Sequence, residues 1–259
     1  NGVWVLPSLE HCFLRHANGL ELIRRLLEKA TSGALGRGLI GCDSWAWAYL
    51  QRIWAGAPTA PTTLQAFDGA RLTELFARLA GERRGQQLRF CNARTGQDII
   101  PPRDRLEDAD YDISTVMKEL AGYCRGNVGT AWTYWRESLR TEPEHDDTRP
   151  PAPTASGDLA SDEEAVVWVA AEIAEPRMPV ESGEDTTLLL HALLIHNGLT
   201  PSILPALLPL PPSRIEALLL GLRAAGLAQW QGNLWRVAPG GYAATRAHLL
   251  SRGFLTDSF

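Results

Sequence analysis

Long hydrophobic runs, paired cysteines and an excess of positive charge are all missing from these 259 residues. No apolar stretch approaches the roughly 18 residues that a membrane-spanning helix needs. The Leu-rich stretch near Leu188 is broken by His191, His196 and Asn197. No membrane span is therefore expected, and a cytoplasmic protein is. The cysteines Cys12, Cys42, Cys91 and Cys124 include no C-x-x-C pair, which excludes a zinc knuckle or a disulfide frame and suits a reducing compartment. A formal net charge of -5 offers little to nucleic acid, because neutralising phosphates takes clustered Lys and Arg. The histidine pairs His11/His16 and His191/His196 are each five apart. On a helix that spacing turns the rings about 140° from one another, so no i, i+4 metal pair is expected.

What is present is core-forming. With 45% hydrophobic and 21% charged residues, the chain has the material for two globular domains. Residues 2–6, Gly-Val-Trp-Val-Leu, form a continuous apolar run that reads as a strand covered on both faces. Leu20, Ile23 and Leu27 then recur at helical spacing. Residues 38–44 give a second short strand, and residues 45–54 a second helix. This strand-helix-strand-helix order favours a parallel sheet. Leu72, Leu75, Phe76 and Leu79 mark another helical stripe, residues 88–91 a small strand, and residues 95–110 an irregular excursion. Two more helices follow, over residues 113–123 and 130–140, separated by Gly126-Asn127.

Residues 141–164 are acidic and Pro-rich with almost no large apolar side chain, the composition of an exposed linker. Residues 166–173 read equally as helix or strand. Beyond them come a helix over 186–196, a short helix capped by Thr200 with Pro201 in its first turn, and a helix carrying Ile215, Leu218, Leu219 and Leu222 between Pro212 and Gly226. Residues 228–230 and 234–237 flank Gln231-Gly232-Asn233, which has hairpin-turn chemistry, and a final helix covers residues 242–251.

With these elements placed, residues 1–140 resemble the second half of an AAA+ or STAND-type P-loop ATPase module, and residues 186–251 resemble a winged helix. Residues 2–10 match the strand that ends in the Walker B acid, residues 38–44 the strand that carries sensor 1, and Gly126-Asn127-Val128-Gly129 the lid turn. The resemblance implies an α/β fold: part of a parallel-sheet ATPase core (1–80), a helical lid (81–140), a linker (141–164) and an α+β winged-helix domain (165–259). It implies Glu10 as a Walker B-like catalytic acid, and Asp43, Ser44, Gly126 and Asn127 as nucleotide-binding positions. ATP and Mg²⁺ are the implied cofactors.

The pattern departs from that family in ways that bear on chemistry. Pro7 and Ser8 stand where the Walker B acids belong, Val128 replaces the lid Pro, and Gly129 replaces the sensor 2 Arg. No Gly-x-x-x-x-Gly-Lys-Ser/Thr loop is present. The chain starts at Asn1 on core sequence, so a truncated protein is expected, whose missing N-terminal half supplies that loop. A degenerate switch stands beside an active ATPase. Each residue also has a structural alternative: Glu10 as a helix-initiating acid, Asp43 or Ser44 as the cap of the following helix, and Arg15 as a solvated helix-end residue rather than a finger reaching a neighbouring subunit. A protein partner for the winged helix is expected. The alternative function is a DNA-binding regulator whose third helix enters the major groove.

Overall fold

The computed structural model describes residues 2–54, 61–81, 88–101, 111–144, 165–172, 176–180 and 182–257. Most of the expected linker, and residues 102–110 of the expected excursion, lie outside these. In chain order the elements are β1 (Trp4–Leu6), α1 (Glu21–Thr31), β2 (Gly38–Ile40), α2 (Ser44–Ile53), α3 (Gly69–Gly81), β3 (Leu88–Asn92), α4 (Thr115–Cys124) and α5 (Val128–Ser138). There follow β4 (Leu139–Arg140), β5 (Ala165–Val169), α6 (Glu184–Ile195), α7 (Leu204–Leu207), α8 (Pro212–Ala224), β6 (Ala228–Gln231), β7 (Leu234–Val237) and α9 (Tyr242–Ser251). The fold is mixed α/β with small sheets. Among the described residues no helix is long and apolar enough to cross a membrane.

The chain forms two compact units, one of Asn1–Thr63 with Glu175–Phe259 and the other of Leu64–Ala174. The first unit thus joins sequence from both sides of the expected linker. In it, β1 and β2 pair in parallel, with Trp4 opposite Gly38 and Leu6 opposite Ile40. Gly38 is required there, because the Trp4 ring lies where a Cβ would project, and the Trp4 indole N–H donates to Leu35 O at 2.8 Å. Leu6 and Ile40 pack on a cluster of Leu9, Phe13, Ile23, Leu27, Ala46 and Leu50. Val5 and Leu39 point away and are 61% and 64% exposed. The expectation of a strand covered on both faces is corrected: one face only is buried among the described residues.

The helix α6 is the centre of this unit. Nine of its residues, including Leu189, Leu190, His191, Ala192, Leu193, Leu194 and Ile195, are buried. A helix apolar all round has no solvent face and must be enclosed. Leu189, Leu190 and Leu193 join Ile215, Leu219, Leu222 and Leu227 in one cluster. Ile195 meets the Leu9–Leu50 group, and Leu194 meets Trp45 and Leu249. The short helix is corrected in position: it begins at Leu204 with Pro205 in its first turn. Thr200 and Pro201 instead belong to a turn in which Ile203 N donates to Thr200 O. At the hairpin, Gly232 and Asn233 both have positive φ, as a two-residue turn with the twist of its strands demands. Leu199 forms an isolated antiparallel bridge with Trp235 of β7.

In the second unit β5 lies between β3, which it pairs in parallel, and β4, which it pairs antiparallel. The segment that read equally as helix or strand is a strand because Val166, Val167 and Val169 extend a ladder whose Val167 faces Phe90 in register. The core gathers Leu72, Phe76, Phe90, Met117, Leu120, Tyr134 and Trp135. Phe76 lies 5.0 Å from the Trp135 ring and 5.7 Å from that of Trp132.

Candidate functional site

The carboxyl ends of β1 and β2 converge because Gly41 lets the backbones meet. A Cβ on Gly41 would stand 2.5 Å from Pro7 O. Without one, Gly41 N donates to Leu6 O and Leu9 N donates to Gly41 O, at 2.8 and 2.9 Å. This crossing sets the single turn Leu9–His11 beside the start of α2. Glu10 is buried and its Oε2 accepts from Asp43 N at 3.1 Å. It lies in the first turn of that short segment, which ends at His11 rather than running to His16.

Asp43 is the N-cap of α2: its Oδ1 accepts from Trp45 N at 2.9 Å. Burial, above the effects of the Glu10 and Asp257 charges, pushes its carboxyl up to about 6. Ser44 donates through Oγ to Asp257 Oδ2 at 3.1 Å. The same oxygen accepts from the Tyr242 hydroxyl at 2.9 Å, and Arg246 Nε donates to Asp257 Oδ1 at 2.9 Å. Trp45 Nε1 donates to the Tyr242 oxygen at 3.2 Å. The Asp43 carboxyl thus feels the charges of Glu10 and Asp257, and Arg246 pairs with Asp257. Among the described residues no three His, Cys, Asp or Glu side chains are grouped to hold a metal ion.

Arg15 is half-buried rather than solvated. Its NH1 donates to His191 Nδ1 at 2.8 Å, and its backbone N donates to His196 Nε2 at 3.3 Å. With those nitrogens accepting, His191 Nε2 donates to Leu255 O at 3.1 Å and His196 Nδ1 faces Glu10 O at 3.5 Å. Each ring is therefore held as one neutral tautomer. Burial first, then the Arg15 charge, lowers His191 to about 4; burial lowers His196 to about 4 against the opposing pull of Glu10 O. These rings bind the N-terminal segment to α6 and to the C-terminal tail.

Gly126 and Asn127 belong to the other unit, where they form the α4–α5 turn. Gly126 has φ 70°, and Asn127 caps α5 by accepting from Thr130 N at 3.0 Å. Sequence reasoning singled out Glu10, Asp43 and Ser44 but missed Asp257, Tyr242 and Arg246. The Tyr242/Arg246 spacing of one helical turn was the available signal, and nothing local ties it to Ser44. Comparison with family models, curated proteins and solved structures finds no match to this chain.

Proposed function

We propose that the chain is the C-terminal part of a P-loop ATPase-like, nucleotide-dependent switch, with residues 186–251 acting as a winged helix for protein contact or signalling. The observation that carries this reading is the adjacency of Glu10 to Asp43 and Ser44 at the carboxyl ends of a parallel strand pair. In open α/β sheets ligands bind outside those ends. A nucleotide there would bring Mg²⁺ held chiefly by its own phosphates and one or two carboxylates, the usual habit of this ion. Burial raises the Asp43 carboxyl first and the Glu10 and Asp257 charges add to the rise, an addition that such a cation would offset. Glu10 would orient a water and Ser44 would sense the terminal phosphate. Pro7 and Ser8, in place of the Walker B acids, favour a switch degenerate in hydrolysis.

The bare faces of Val5 and Leu39 support further sheet and helix layers, because parallel sheets are stable when covered on both sides. For the C-terminal part, the order α6, α7, α8 and hairpin, with the Leu199–Trp235 bridge, supports the winged-helix reading. The face of α8 favours a protein partner over DNA. Glu216, Ala217, Leu220, Gly221 and Arg223 are exposed on it, and Arg214 is paired with Asp185 at 3.0 Å, so two positive charges, one of them paired, stand beside one negative charge and one Leu. The reading requires a Gly-x-x-x-x-Gly-Lys-Ser/Thr loop encoded ahead of Asn1. Fluorescent ATP titrated into the whole gene product in Mg²⁺ is expected to bind, with Glu10→Gln retaining binding. Absence of Mg²⁺-dependent binding would refute the proposal.

A further inference from the structure

The six described residues after α9, 252–257, fold back as a strap onto the candidate site. Gly253, with φ 72°, turns the chain, and Gly253 N and Phe254 N donate to Leu250 O and Leu249 O at 3.0 Å each. The Phe254 ring lies 5.1 Å from His191. Leu255 O takes the His191 proton, and Asp257 takes Ser44, Tyr242 and Arg246. Between these anchors the strap is not packed throughout. Residues 253–256 form one wall of an open cleft of about 640 Å³ whose other wall includes Tyr49, Arg52 and Ile53. The segment is thus held at Asp257, turns at Gly253 and borders a cleft.

We propose that Asp257 is a displaceable latch, so that the Ser44 hydroxyl serves either the strap or a bound phosphate. This rests on the nucleotide reading above. A serine hydroxyl has one proton to donate, and here Asp257 Oδ2 accepts it. An incoming phosphate presents the same demand and adds negative charge beside Asp257, which repels the carboxylate from its seat. Because Asp257 is also gripped by Tyr242 and Arg246 on α9, occupancy of the site is passed to the C-terminal segment through one side chain. The coupling is reciprocal: releasing the strap strengthens nucleotide binding as much as nucleotide weakens the strap.

Hydrogen exchange of the whole gene product, with ATP and Mg²⁺ as the probe, tests this. Asp257→Ala, which removes the bonds to Ser44, Tyr242 and Arg246, is expected to speed exchange at the Gly253 and Phe254 amides at least about tenfold, and, by freeing Ser44 from one charge-assisted hydrogen bond, to tighten ATP binding about tenfold. ATP is expected to speed the same amides in the parent protein, and to stop doing so in Ser44→Ala. Should Asp257→Ala fail to fold, Tyr242→Phe removes one donor, keeps the ring, and is expected to shift both readouts in the same direction. Unchanged strap exchange in the folded variants overturns the latch. A freed strap with unchanged ATP affinity overturns the coupling and leaves the nucleotide reading standing. No ATP binding by parent or variant overturns both.

Discussion

Lowering the pH sets the neutral histidines against the protonated aspartate, and the outcome can be worked out. His191 and His196 titrate near 4 in the fold and near 6.5 in the unfolded chain. Above 6.5 both are neutral in either state, and stability is level. From 6.5 down to about 4 the unfolded chain takes up two protons that the fold refuses, so stability falls with pH. Around His191 the facing charges are Arg15 and His196; around His196 they are Arg15 and His11. Asp43 runs the other way. Its folded carboxyl holds a proton below about 6, whereas unfolded it stays ionised down to 3.8. It therefore offsets roughly one histidine proton between pH 5 and 6, leaving a net uptake of about one and a slope of about 1.4 kcal/mol per pH unit. Urea unfolding, followed by tryptophan fluorescence at steps of pH, measures that slope. His191→Gln keeps a donor for Leu255 O and an acceptor for Arg15, and is expected to flatten it. Asp43→Asn is expected to steepen it to about 3 kcal/mol per unit. A slope that His191→Gln leaves untouched would refute the assignment of a buried neutral ring.

Four further outcomes are expected. Gly126→Ala, at φ 70° with Ala66 Cβ and Phe67 N each 2.6 Å from the added methyl, should cost about 1–3 kcal/mol in thermal denaturation. Gly122→Ala, inside α4 with open space around it, should instead gain up to about 1 kcal/mol. Phe76→Ala, which empties a site 1% exposed between two tryptophans, should cost about 3–5 kcal/mol. A gel shift with duplex DNA should show no band that weakens steeply with salt; such a band would favour the DNA-binding regulator.

Local chemistry made much of the fold legible. The positive-φ turn at Gly232 and Asn233, the stop at Gly226 and the stripe of Ile215, Leu219 and Leu222 are written within a few residues of where they act. So is the cap at Asp43, which the sequence offered beside the sensor role. The reach of Ser44 to Asp257 was not legible, because it spans 213 positions and is set by how α2 and α9 pack. Apolar continuity misled at Val5: a run of hydrophobic residues records what a strand can tolerate on its two faces, not which face is covered. The spacing of His191 and His196 spoke only of the angle between their rings. It could not say that both rings would be enclosed, because that follows from α6 being surrounded on all sides.

That enclosure makes residues 165–259 a poor candidate for life as an isolated module. Cut free of residues 1–63, α6 would turn His191, Leu194 and Ile195 toward water, deprived of Arg15, Trp45, Phe13 and Leu50. Anyone excising the tail to study it alone should anticipate aggregation, and should carry the opening sixty residues along as its second wall.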